Sequence, residues 1–385
     1  TTVVPEPTAA PAGGSLALRV GVGLLAVAGI GIAAFVVSRR RRGAKASRGG
    51  STGVTAVPDP MGAAADGDHE RRGSSPSRRL VHLGLAGGVA SGSKEEHTMS
   101  SSSPRVEART GDSTCTWSLE RAGTLGIGLW LEQRSGQGED AAPTILVDPQ
   151  ADDVLVAVYD GVGGAGSAPG RERPDGTTVS SAFLAARRAR SSTESWFGGL
   201  DPASDGPPGA MLHEDLLSGL EAERAVHLPV STRIAGSMRR LLPTTLAAVR
   251  AQADDGGRRQ VSAFWAGDSR GYVLKPTPGL QVLTVDDTPT IDALEALVND
   301  APLSNMVCAD RPFEVHERSI TSDGPLVILA ATDGCFGYLA TPAHFELLLL
   351  QSLQRSADVD EWSRRLLASV KAVAADDASL GMLAL

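Results

Sequence analysis

The stretch Val154-Leu-Val-Ala-Val-Tyr159 runs directly into Asp160-Gly161-Val162-Gly163-Gly164. A short, continuous apolar run bounded by turn residues reads as a buried strand. It delivers one carboxylate into a turn made of glycines, a good way to hold a hard cation beside bare backbone. Gly161, Gly163 and Gly166 also spell G-x-G-x-x-G after a strand, the pattern of a dinucleotide-binding turn. That fold needs its glycines to open a helix at once, so that the helix N-terminus meets the pyrophosphate. Here they run on into Ser167-Ala168-Pro169-Gly170-Arg171-Glu172-Arg173-Pro174, which reads as a loop. The acidic residue expected about twenty positions on falls in a predicted helix. Asp160 would also face the phosphates with nothing to screen it. The metal reading is therefore preferred.

Outward from this turn, the chain divides by composition. Residues 1–14 are rich in Pro, Ala and Thr and read as an extracytoplasmic stub. Within residues 15–38, Val20 to Val37 is an unbroken run of 18 apolar or glycine residues, roughly 27 Å as a helix and enough to cross a bilayer core. Arg39, Arg40, Arg41 and Arg42 follow it, against only Arg19 before it. A signal peptide carries its charge in the opposite order. The basic excess predicts a single-pass anchor with the C-terminal side in the cytoplasm. Residues 39–108 are dominated by Gly, Ser, Ala, Pro and charge and read as a flexible linker.

Residues 109–385 carry the folded pattern. Strands are predicted at 124–132, 143–148, 154–159, 245–251, 260–266, 271–275 and 326–331. Helices are predicted at 180–195, 210–226, 341–354 and 358–374 from their 3.6-residue period, with residues 198–210 as a loop between the first two. Strands in runs with helices grouped between and after them indicate an α+β layered domain. The net charge of −9 gives nucleic-acid binding no electrostatic support. The three cysteines, Cys115, Cys308 and Cys335, have no zinc or disulfide spacing. Cys335 reads as a small buried residue.

Acidic residues recur at strand ends: Asp140 before a strand, Asp160 after one, Asp333 after Val327–Ala331, and Asp376 and Asp377 before the apolar end of the chain. Converging carboxylates repel unless cations neutralise them. Oxygen ligands without a Cys/His constellation favour Mg²⁺ or Mn²⁺. Two such ions can hold a hydroxide and neutralise a phosphoryl group. Ser269 and Ser379 lie in no nucleophile elbow. His213, His227, His316 and His344 have no sequence partners and read as surface or capping residues.

The motifs Gln137-Gly138-Glu139-Asp140, Tyr159-Asp160-Gly161-Val162-Gly163-Gly164, Pro243-Thr244-Thr245, Gly267-Asp268-Ser269-Arg270-Gly271, Asp286-Asp287, Thr332-Asp333-Gly334 and Asp376-Asp377 occur in that order. Together they resemble the metal-dependent serine/threonine phosphatases of the 2C type, here in a membrane-anchored bacterial form. The resemblance implies a two-sheet antiparallel β-sandwich flanked by helices, with two Mn²⁺ or Mg²⁺ ions in a cleft at one end. It implies that Asp160 bridges both ions, that the Gly161 carbonyl ligates one, and that Asp333 and Asp376 hold the other. Glu139 and Asp140 would act on bound waters or on an ion, and Asp268 would lie near a weaker third position. A water between the ions would attack phosphorus, releasing serine or threonine without a covalent intermediate.

The implied partners are phosphoproteins made by a serine/threonine kinase. The implied location is the cell membrane, with the catalytic domain cytoplasmic. Four positions depart from the pattern, one of them Pro243, which stands where the family has the glycine of Gly-Thr-Thr. Arg134, the candidate phosphate ligand, stands six residues before Asp140 rather than five. Asp287 replaces a histidine, and Asp377 replaces an asparagine. These departures keep open an alternative, a phosphatase-like binding module with weak or no turnover.

Overall fold

The computed structural model describes residues 81–82, 105–108, 114–121, 124–148, 152–200, 206–226, 240–254, 256–288 and 303–385. The strands form two large antiparallel sheets. The first runs in the order β1 (Val81–His82), β5 (Ala141–Asp148), β6 (Asp153–Tyr159), β9 (Leu246–Ala253), β10 (Arg259–Ala266) and β13 (His316–Ser322). The second runs β12 (Leu280–Val282), β11 (Arg270–Leu274), β14 (Val327–Ala331), β15 (Ala378–Ala384), β4 (Thr124–Leu131), β3 (Thr114–Arg121) and β2 (Arg105–Ala108). A small hairpin, β7 (Pro169–Glu172) with β8 (Thr178–Ser180), stands apart.

Alternation along the two central strands explains the layering. In β6, Val154, Val156 and Val158 join an apolar cluster with Ile328 and Ala330 of β14, between the sheets. Leu155, Ala157 and Tyr159 face the other way, onto helices α2 (Ser181–Gly199) and α3 (Pro208–Val226). In β14, Val327, Leu329 and Ala331 pack onto α4 (Pro342–Gln354) and α5 (Val359–Lys371). Both strands are covered on both faces, which is why they read as unbroken apolar runs. Each fully buried Val or Leu contributes roughly 1.5–3 kcal/mol, so such strands can carry unfavourable carboxylates at their ends.

The seven predicted strands and four predicted helices are present, with ends moved by up to three or four residues. Gly198 and Gly199 complete α2, and Pro208 opens α3, so the connection between these helices is shorter than expected. The glycine turn also differs from its reading as a loop. Gly163–Gly166 makes a single helical turn, α1, before the β7–β8 hairpin. At four residues it is far too short to serve as the helix of a dinucleotide fold. Val81–His82 and Arg105–Ala108, inside the stretch read as linker, pair with β5 and β3. The Val20–Val37 segment lies outside the described residues; among those described, no helix is long and apolar enough to cross a membrane.

Candidate functional site

Antiparallel pairing gathers the acidic motifs at one end of the two sheets. Asp160 follows β6, and Asp140 precedes the neighbouring β5, where Ala141 lies opposite Tyr159. Asp333 follows β14, and Asp376 precedes the neighbouring β15, where Leu380 lies opposite Ala331. Asp268 sits in the turn from β10 to β11. With Glu139, Gly161 and Asp377, these residues line a cleft of about 820 Å³. Two glycines permit the close approach. A Cβ on Gly161 would stand 2.7 Å from the Glu139 carbonyl and 2.9 Å from that of Ala182, and one on Gly334 would run into the Asp377 carbonyl.

Asp160 is the hub. Its carboxyl hydrogen bonds to both Asp140 and Asp333. Burial pushes all three carboxyls up, and the mutual charges of Asp140, Asp160 and Asp333 add to the shift of Asp160. Carboxylates this close coexist only with a proton or a cation between them. Asp268 is pushed up to about 6, by burial first and by Asp333 next.

The donor set is oxygen. Among the described residues no histidine lines the cleft, and the Cys335 thiol is turned to the Ser379 carbonyl at 3.4 Å. The residues therefore fit a hard divalent cation rather than zinc. Backbone bonds beside the hub run from Thr245 to Asp160 and from Val162 to Pro243, which leaves the Gly161 carbonyl out of the pairing. The carboxylates meet in pairs through Asp160; among the described residues they do not converge as a ready-made ligand cage.

Surrounding motifs fix this wall. The Asp160 carbonyl accepts from Thr245 N and from Thr244 Oγ1, both at 2.7 Å. Thr245 Oγ1 meets Ser269 Oγ at 2.6 Å, tying the hub to the Asp268 turn. Asp140 Oδ2 accepts from Thr332 Oγ1 at 2.9 Å, and Thr332 Oγ1 in turn accepts from Ser379 N at 2.8 Å. Asp287 accepts from Gly267 N and Asn305 Nδ2, both at 2.8 Å, and lies 2.9 Å from His316 Nε2. This acidic residue is a brace for the Asp268 turn, and His316, read as unpartnered, is its partner.

The loop between β4 and β5 is clasped from two sides. Asp377 accepts from the backbone N–H of Gln133 and of Glu139, both at 2.7 Å. Beneath it, Arg187 of α2 donates to the carbonyls of Gly138 at 3.2 Å and Glu139 at 3.4 Å. The Arg187 guanidinium pKa is lowered to about 10 by burial, partly offset by Glu132. The Glu139 carboxylate bonds to Ser180 Oγ, the cap of α2, while still lining the cleft. Arg134, by contrast, is exposed in the same loop and does not line the cleft. Among the described residues, the cation that does is Arg240, whose backbone N–H donates to the Ala165 carbonyl at 3.0 Å. Thr332, Arg187, Ser180 and Arg240 were not singled out from sequence. Their roles depend on contacts between distant elements, for which no local pattern exists.

No family model matches the chain, and no curated protein does. Similar solved structures include one described as a bacterial serine phosphatase, 15% identical, covering 67% of this chain and 96% of its own, with a TM-score of 0.48. Another is the serine/threonine phosphatase Stp1 from Staphylococcus aureus, also 15% identical, covering 67% and 93%, with a TM-score of 0.48. A third is the catalytic domain of the serine/threonine protein phosphatase PstP in complex with two manganese ions, 15% identical, covering 68% and 97%, with a TM-score of 0.43. These are distant likenesses, and the chemistry of this chain is read from its own cleft residues.

Proposed function

We propose that the chain is a metal-dependent protein serine/threonine phosphatase tethered to the membrane by its N-terminal segment. The observation that carries this reading is Asp160, joined to Asp140 and Asp333 at the floor of an open acidic cleft. The ordered motifs of the sequence agree with it. Asp160, Asp333, Asp376 and the Gly161 carbonyl are assigned to two Mn²⁺ or Mg²⁺ ions, with Asp140 and Glu139 beside them and Asp268 near a third position. When bound, the ions supply Lewis acidity that makes water a nucleophile at neutral pH and neutralises phosphoryl oxygens.

The chain's own residues supply position. Thr244 and Thr245 hold Asp160 by its backbone, Thr332 orients Asp140, and Asp377 with Arg187 sets the height of Glu139. Glu139 and Asp140 carry pKa values raised above the ordinary carboxylate range, burial being the first cause in both. The cleft is open, as a phosphorylated side chain on a protein requires. The tether is supported by Val20–Val37 and the four arginines that follow it.

The position of Arg134 outside the cleft favours a second reading, a module that binds phosphoproteins with little turnover. Calorimetry with a phosphothreonine peptide and Mn²⁺, followed by assay of free phosphate, separates the two. Turnover that stops on chelation supports the enzyme. Binding that persists with no phosphate released supports the module and ends the enzymatic reading.

A further inference from the structure

We propose that Arg240 is the residue that receives the substrate's phosphate, in place of the arginine expected in the β4–β5 loop. The inference rests on the phosphatase reading and assigns the substrate contact of the same site. Charge is the first ground. Among the described residues, seven carboxylates line the cleft, those of Glu139, Asp140, Asp160, Asp268, Asp333, Asp376 and Asp377, and Arg240 is the one cation. A phosphate monoester near neutral pH carries a charge approaching −2. Even with two divalent ions in place, a dianion entering past so many carboxylates gains from a guanidinium on the cleft wall. Arginine also offers paired donors that match phosphate oxygens.

Position is the second ground, because the other described arginines near the centre do not line the cleft. Arg187 lies beneath the β4–β5 loop, tied to two of its carbonyls. Arg270 is paired with Asp286 at 2.6 Å and stacked over Phe336. Arg134 is exposed, and its carbonyl accepts from Gln137 N in a surface turn. Arg240 lines the cleft. Its backbone N–H donates to Ala165, at the end of the glycine turn that begins at Asp160. Its neighbour Leu241 is pinned through Asp310, and Leu242 through Ser181. The residue thus has a fixed root beside the hub and a place on the cleft wall. Leu303 and Met306 on the same cleft offer apolar surface for the rest of a substrate side chain.

The test is inorganic phosphate binding to the Mn²⁺-loaded full chain by calorimetry, alongside KM for a phosphothreonine peptide. Wild type is compared with Arg240→Ala, Arg240→Lys and Arg134→Ala. Loss of a charged hydrogen-bonding partner predicts that Arg240→Ala weakens phosphate binding and raises KM by about tenfold or more. Arg240→Lys should recover part of the loss, and Arg134→Ala should leave both values unchanged. Mn²⁺ affinity and melting temperature should stay the same in all variants.

Four results would overturn the assignment: no phosphate binding by wild type, wild-type phosphate binding by Arg240→Ala, a loss carried by Arg134→Ala, or loss of Mn²⁺ binding in Arg240→Ala. Phosphate binding that needs Arg240 in a protein without turnover would retire the enzyme and keep this site. Turnover indifferent to Arg240 would do the reverse.

Discussion

The carboxylate of Asp377 accepts the backbone N–H of Glu139 at 2.7 Å across 238 residues of chain. Its other oxygen takes the N–H of Gln133 at the same distance, so one side chain closes the loop that carries Glu139 and Asp140. Asp377→Ala leaves two backbone donors without their acceptor. Each costs about 1–3 kcal/mol where water cannot replace it, and partial exposure puts the expected total near the lower end. Asp377→Asn keeps one acceptor and should lose about half as much. Chemical denaturation of the three proteins checks the order. Equal stability of the alanine variant and wild type would show that the clasp contributes nothing.

Thr332 links two of the acidic motifs, donating to Asp140 and accepting from Ser379 N. Thr332→Val keeps the shape and removes both bonds. Groups that orient metal ligands typically contribute about 10–100-fold to affinity, and a loss in that range is expected for Mn²⁺. A calorimetric Mn²⁺ titration of the valine variant reads this directly; unchanged affinity would remove Asp140 from the proposed centre.

The cleft carboxyls predict a pH dependence of the cation-free protein. Burial, followed by neighbouring charge, pushes Asp268 up to about 6, and Asp140, Asp160 and Asp333 shift in the same direction. The unfolded chain releases these protons near 3.8, the folded chain only at higher pH. Between those values the folded state holds more protons, so stability is lost as pH rises through the folded pKa values. In chelator, the melting temperature should fall between about pH 4 and about pH 6, the interval spanned by Asp268, and excess Mn²⁺ should restore it. A melting temperature that climbs over that interval without cation would contradict the clustering.

Asp160→Asn separates function from stability. It removes one charge from the hub while keeping its shape, so the cation-free variant should melt higher than wild type near neutral pH. Its pH slope should be shallower and its stabilisation by Mn²⁺ largely lost. Such opposition between stability and function is expected where like charges are held together for a ligand. A variant less stable than wild type in chelator would mean that Asp160 is a structural residue.

The central strands were legible because burial on both faces left no polar residue in Val154–Tyr159 or Val327–Ala331, and an Asp closely follows each run. From those ends a cluster of carboxylates at one sheet edge is expected. Strand β13 escaped because His316–Ser322 is an edge strand, paired on one side and mostly polar and exposed. Its charge suits an edge and hides it from a hydrophobic pattern. Asp287 looked like a defect in a motif, since nothing local shows that His316 reaches it. The motif resemblance pointed to Arg134 and passed over Arg240, whereas the fold sets the first in a surface turn and the second on the cleft. Clasps such as Asp377 to Glu139 are likewise products of topology, not of spacing.

The most direct test of the central claim is phosphate release from a phosphothreonine peptide by the full chain, with Mn²⁺ or Mg²⁺, with chelator, and with Asp160→Asn. The account predicts release that requires the cation, stops on chelation and falls to background in the variant. Release that survives chelation or the loss of Asp160, or no release with either metal across several phosphopeptides, would contradict it.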